Sequence, residues 1–149
     1  MNSLKEFPQK KESEPRRVVV MFIHNQQGEI LFTRRSLNRK FLPGIWALPA
    51  GHIENQESFQ DTVRREANEE LGIDVEDVNL VEIIEEPGGE KTKVFLVDIP
   101  HDSYSGTPQM ANEEFKEIQW FSTTEFYNKF SDNEIGTTLR HLRPRFQNK

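Results

Sequence analysis

The 149-residue chain has no cysteine. That absence excludes thiolate catalysis, cysteine-ligated zinc or iron–sulfur centres, and a disulfide-stapled scaffold. Long hydrophobic runs are also missing. No apolar stretch approaches the eighteen or so residues of a membrane helix, and the N-terminal residues lack the apolar core of a signal peptide, so the cytoplasm is the expected location. Positive charge is in short supply too, at 19 basic against 25 acidic residues and a net charge of -6. A general nucleic-acid-coating surface is not expected from that balance, nor is a membrane partner. What remains is a length suited to one domain that can bury roughly two-thirds of its unfolded surface without covalent help.

The charge is unevenly spread. Residues 51–90 hold thirteen acidic and two basic residues, whereas residues 1–50 hold nine basic and four acidic. An acidic block is either a solvated surface or a carboxylate cluster for a divalent cation, and spacing separates the two. Residues 1–15 read as a polar arm, leaving residues 16–149 as a single domain. Arg17 to Asn25 and Glu29 to Arg35 read as strands joined by a turn at Gln26 to Gly28. Ser36 to Gly44 is a basic loop, and Trp46 to Leu48 is a short apolar segment ended by Pro49. Ser58 to Leu71 reads as a helix capped by Ser58 and Gly72, with Phe59, Val63, Ala67 and Leu71 as its buried stripe. Val78 to Ile84, Lys93 to Ile99 and Ile118 to Phe121 read as strands. A short helix starts at Ser122, and a final helix from about Asn133 to Leu142 is expected to stop before Pro144. The pattern is that of an α/β or α+β domain with a mixed sheet.

On the central helix, Glu66 and Glu70 project about 40° apart, and Glu69 about 60° from Glu66. Like charges at these spacings repel, and Glu70 falls on the edge of the apolar stripe, where a bare carboxylate is poorly solvated. A divalent cation offsets both penalties, and Mg²⁺ suits one or two carboxylates with water and phosphate oxygens. Pro49–Ala50–Gly51 makes a backbone break able to aim a carbonyl at the same cation. Glu57, eight residues before Arg65, supplies a partner that pins the loop to the helix.

The run from Gly51 to Ile73, GHIENQESFQDTVRREANEELGI, resembles the Nudix box of the Nudix hydrolases. Gly51, Glu57, Arg65, Glu66, Ala67, Glu69, Glu70, Gly72 and Ile73 fill its fixed places. Trp46 to His52 resembles the strand and loop that lead into the box, with Ala50 where many members have glycine, and Glu117 to Phe121 resembles the late strand. The resemblance implies an α/β/α sandwich with a central mixed β-sheet. It implies Mg²⁺-dependent hydrolysis, with Mn²⁺ as substitute, of a nucleoside diphosphate linked to another moiety. By the same resemblance Glu66, Glu69, Glu70 and the Ala50 carbonyl hold metal, and Arg65 braces the loop through Glu57. The general base is a box glutamate, with Glu66 favoured, or a carboxylate of a later loop, where Glu113 is preferred and Glu114 is the substitute. Arg34, Arg35, Arg39 and Lys40 are candidates for holding phosphates. Phe22, Phe32, Tyr104, Phe115 and Trp120 are candidate stacking aromatics, most of them expected in the core.

The favoured substrate is a small nucleotide, a nucleoside triphosphate cleaved to monophosphate and pyrophosphate. The chain carries no sizeable N-terminal extension of the kind that builds swapped dimers in many ADP-ribose pyrophosphatases. ADP-ribose or a nucleotide sugar is the alternative, because Pro87-Gly88-Gly89 resembles the proline-bearing turn of ADP-ribose-cleaving members. Isopentenyl diphosphate isomerases place different chemistry on a related fold but use a catalytic cysteine. A non-catalytic nucleotide-binding Nudix-like domain is disfavoured by the full set of box carboxylates. Monomer and homodimer are both compatible with the sequence.

Overall fold

The computed structural model describes residues 15–86 and 91–147. Apart from Pro15, the expected polar arm lies outside the described residues, as does the Pro87-Gly88-Gly89 turn.

The Val/Met/Phe/Ile run forms β1 (Arg16–Ile23), and its unbroken hydrophobicity has a direct cause. Val19, Met21 and Ile23 face one core and Val20 and Phe22 the other, so the strand is buried on both sides. β2 (Ile30–Arg35), β3 (Trp46–Ala47) and β4 (Ala50–His52) follow, then α1 (Phe59–Leu71). After α1 come β5 (Asp74–Val75), β6 (Asn79–Glu86), β7 (Thr92–Ile99), β8 (Tyr104–Ser105) and β9 (Phe115–Phe121). α2 (Thr123–Lys129), a 3-10 turn at Asp132–Glu134 and α3 (Thr137–Gln147) complete the described chain.

The main sheet runs β4-β1-β7-β6 and is mixed, since β1 pairs parallel with β7 while its other pairings are antiparallel. A second sheet, β3-β2-β9, packs with it. One core joins Val63, Ala67 and Leu71 of α1 to Val19, Met21, Ile23, Val97 and Ile99. The other lies beneath α2 and α3, where Phe32 stacks on Phe126 at a centroid distance of 3.9 Å. Helices thus flank the sheets on two sides, the expected α/β/α sandwich.

Ser58 accepts a hydrogen bond from the Asp61 amide at the start of α1, and Gly72, at φ 70°, ends it in the left-handed region. The expectation for the last helix is corrected. In place of one helix from Asn133 to Leu142, the 3-10 turn is followed by a helix that continues through Pro144. An interior proline costs about 3 kcal/mol. Tertiary contacts on either side of it offset that cost. Arg143 donates to the Tyr127 and Phe130 carbonyls at 3.1 and 2.8 Å and to Asp132 at 2.7 Å. Arg145 pairs with Glu82, and Phe146 stacks on Tyr127 at 5.8 Å.

Candidate functional site

The site begins with a backbone orientation. Met21 N–H donates to the Pro49 carbonyl, and Ile53 N–H to the Arg17 carbonyl. These bonds make Val20 and Ala50 a non-hydrogen-bonded pair in the β1/β4 ladder. Since β4 is the sheet edge, the Ala50 carbonyl faces away from β1 and is left for another partner. At Gly51 the Glu66 side chain crosses so close that a Cβ would overlap its carboxylate, which explains the glycine on steric grounds.

The loop between β4 and α1 is tied down through one guanidinium. Arg65 donates from Nε to Glu57 at 2.8 Å, and from its terminal nitrogen to Glu57 at 3.0 Å and to the His52 carbonyl at 3.2 Å. Glu57 also accepts from the Thr62 hydroxyl at 2.7 Å and from the Glu54 amide at 3.2 Å. Arg65 first, then Thr62, hold the Glu57 carboxyl down at about 2. Thr62 had no role in the sequence reading, although its place in the first turn of α1 sets its hydroxyl beside the residue that precedes the cap.

Glu66, 3.5 Å from Arg65, and Glu70 line the same cleft and act on each other electrostatically. Burial pushes Glu70 up to about 9, reinforced by the negative charges of Glu114, Glu66 and Glu69. Burial likewise raises Glu66, with Arg65 opposing. Glu70 is only 5% exposed, and its Oε1 is buried without a hydrogen-bond partner. A buried carboxylate oxygen with no donor is costly unless a cation satisfies it. Among the described residues no three His, Asp or Glu side chains converge as a ready-made ligand cage. The donor set is instead two carboxylates and an outward carbonyl, which fits Mg²⁺, an ion that keeps several water or phosphate ligands. Glu69 is further out, 57% exposed and 3.5 Å from Arg65.

The loop before β9 is stitched to the end of α1. Gln109 and Ala111 amides cap the Leu71 and Glu70 carbonyls, and Asn112 accepts from the Glu114 amide. Ser36 fixes the same loop from the other side, donating to the Glu113 and Glu114 carbonyls. Glu114 lines the cleft with Glu66 and Glu70 and acts electrostatically on both. Glu113 lies instead in an outer recess with Asn38 and Arg39. The two neighbours differ by one residue of register, which spacing alone does not resolve.

Ala50, Gly51, His52, Glu66, Glu70 and Glu114 face a cleft of about 560 Å³, within the range of small-molecule sites. Arg35 and Arg39 line it, as does Phe115, but Arg34 does not. Successive strand residues point to opposite faces, so Arg34 turns away to the Gly44 carbonyl at 3.1 Å and Glu117 at 3.4 Å. Phe22 and Phe32 are core. Tyr104 and Trp120 pack against the α1 core.

The NUDIX domain matches residues 14–142. The chain belongs to the NUDIX domain family. A MutT NUDIX hydrolase from Burkholderia pseudomallei has a similar fold, with a TM-score of 0.72 at 23% identity over 90% of this chain and 99% of that one. The nucleoside triphosphatase NudI of Escherichia coli O139:H28 is 28% identical over 136 residues, covering 83% of this chain and 94% of its own length. The isopentenyl-diphosphate Delta-isomerase of Klebsiella pneumoniae is 41% identical over 58 residues, 38% of this chain. Here the chain spans about a third of the length of its relative, at 32%. No helix among the described residues of this NUDIX protein is long and apolar enough to cross a membrane.

Proposed function

We propose that the protein is a metal-dependent pyrophosphohydrolase acting on a nucleoside diphosphate linked to another moiety, with a nucleoside triphosphate as the favoured substrate. The observation that carries this reading is the buried, unpartnered Glu70 Oε1 beside Glu66 and the outward Ala50 carbonyl, at the wall of a cleft. Glu66, Glu69, Glu70 and the Ala50 carbonyl would hold Mg²⁺. When bound, the ion neutralises phosphoryl oxygens and acidifies a water. The chain's own residues do the rest. Arg65 and Glu57 keep the loop, and hence the Ala50 carbonyl, in register. Arg35 and Arg39 attract the phosphates into the cleft. Glu66 is favoured to receive the proton of the attacking water, and Glu114, which lines the cleft, would share that task in preference to Glu113.

The triphosphate preference is supported by the likeness to NudI over most of both chains. The isomerase likeness is local, and the chain has no cysteine for that chemistry. A hydrolysis screen in Mg²⁺ tests the proposal, spanning nucleoside triphosphates, ADP-ribose, nucleotide sugars and dinucleoside polyphosphates with product identification. The expected outcome is monophosphate and pyrophosphate, abolished by chelation and restored by Mg²⁺ or Mn²⁺. Undiminished turnover in excess chelator, with no tightly held metal by elemental analysis, overturns it.

A further inference from the structure

The cleft contains a carboxylate that hydrolysis does not use. Arg16 pairs with Thr92, and Thr92 with Glu86, so β1, β7 and β6 present these residues in one row across the main sheet. Two residues further in, the same face carries Val18, Val94 and Ile84, which belong to the core between the sheets or pack against it. The row is therefore the open rim of that core, and all three of its side chains line the cleft. At its far end Thr138, in the first turn of α3, donates its hydroxyl to Glu86 Oε2. A carboxylate so engaged keeps further acceptor sites on both oxygens.

Glu66 lies over Gly51 of β4, and Glu86 is on β6, three strands away in the order β4-β1-β7-β6. Arg35 pairs with Phe115, next to Glu114, and so belongs to the Glu66/Glu70 side. On the hydrolase reading, Arg35, Arg39 and the divalent cation held by Glu66 and Glu70 would draw phosphates to that side; Arg16, from the Glu86 row, reaches His52 of β4, and Glu86 itself repels phosphate. Between the two walls run Val18, Val20, Ala47 and Leu48, a floor for a sugar and a flat ring. On the hydrolase reading above, the substrate's base then reaches Glu86.

We propose that Glu86, positioned by Thr138, reads the nucleobase and selects guanine. Guanine presents two adjacent donors on one edge, the ring N1–H and the 2-amino group, which match the two oxygens of a carboxylate. Adenine and cytosine set a ring acceptor beside their amino group, and uracil or thymine has one N–H between two carbonyls, so each sets lone pairs against a carboxylate.

Calorimetric binding of guanosine, inosine and adenosine 5′-monophosphates to the chelated protein tests this without turnover. Inosine lacks only the 2-amino group. The wild-type Kd is expected to be at least about tenfold lower for guanosine monophosphate than for the other two, the size of one good bidentate base contact. Glu86→Gln offers one acceptor and one donor, so it should abolish that preference and move it toward adenosine monophosphate. A purely structural anchor would weaken all three ligands alike and leave their ratios unmoved. Equal wild-type affinities, no binding of any of the three, or an unchanged ranking in Glu86→Gln overturns the proposal. Should Glu86→Gln fail to fold by circular dichroism, the wild-type guanosine/inosine ratio decides alone. Turnover of triphosphates without this ranking breaks the base assignment only, whereas the ranking without turnover of any substrate breaks the hydrolase reading only.

Discussion

Two arginines do the same geometric work in different surroundings. Arg65 fans its guanidinium over Glu57 and the His52 carbonyl, and Arg143 fans over Asp132 and the Tyr127 and Phe130 carbonyls. Arg65 stands among excess acid, within 4 Å of Glu54, Glu66 and Glu69 as well as Glu57. Arg143 stands against the aromatic core, 4.9 Å from the Tyr127 ring centroid. One clamps a loop that lines the cleft, and the other clamps a helix past its own proline. Equal hydrogen bonding therefore has unequal consequences. Loosening Arg65 should show in turnover, and loosening Arg143 in stability.

The largest expected effect bounds what the Arg65 clamp protects. Glu70→Gln keeps the shape but removes the charge, and turnover in Mg²⁺ should fall roughly a hundredfold. Its apoprotein should melt higher than wild type at neutral pH, because wild type must take up a proton at buried Glu70 to fold at that pH and glutamine need not. Kinetics in Mg²⁺ paired with thermal melts in chelator measure both; wild-type turnover would remove Glu70 from the site. Next is the clamp itself. Lysine cannot reproduce a two-armed contact with Glu57, so Arg65→Lys should fold yet lose at least about tenfold in turnover. Glu57→Gln should lose a similar amount, and the double mutant little more, since either change opens the same contact. Fully multiplicative losses across the four-member cycle would show that the two act separately.

Arg143→Ala should lower stability by about 2 kcal/mol, a drop in Tm of roughly 4–8 °C, with kcat within about twofold of wild type. A tenfold activity loss at unchanged Tm would invert the comparison. The smallest effect separates the clamp from its buried neighbour by pH. Glu57 is held at about 2 in the fold, below its ordinary 4.5, so its contribution is present above pH 4.5 and lost as pH falls toward 2. Glu70 is raised to about 9, so its contribution is complete below pH 4.5 and lost as pH rises through 9. Melts of the chelated protein should thus show an acid limb that Glu57→Gln flattens and an alkaline limb that Glu70→Gln flattens. Neither limb responding to its own substitution would contradict the assignment.

The clamp around Arg65 was legible in the sequence because its residues lie within one helix and the loop before it, where spacing fixes direction. The α1 caps and the buried stripe were legible for the same reason. β4, β5 and β8 were not, since strands of two or three residues carry no period and depend on distant partners. Arg34 and Arg35 show a finer limit. Alternation says that they point oppositely, but which of them enters the cleft depends on which face of β2 is turned to it. Glu113 and Glu114 differ by one step in a loop whose register is set by Ser36 and by the end of α1. Pro144 argued locally for a helix stop, and contacts from β6 and α2 overrode it. Glu86 and Thr138 meet only through tertiary packing, and nothing near either in sequence marks the pair.

The parallel pairing of β1 with β7 has a consequence for how the chain reaches its fold. Arg16 to Ile23 must wait for Thr92 to Ile99 to be made before the central ladder can close. Until then Val18 to Ile23 has only the three-residue β4 strand as a sheet neighbour. Such long-range pairing closes late and leaves an apolar strand open to other chains meanwhile. A nascent chain halted before Thr92 would therefore leave one edge of its most hydrophobic segment open, so self-association during synthesis is the hazard that this topology sets.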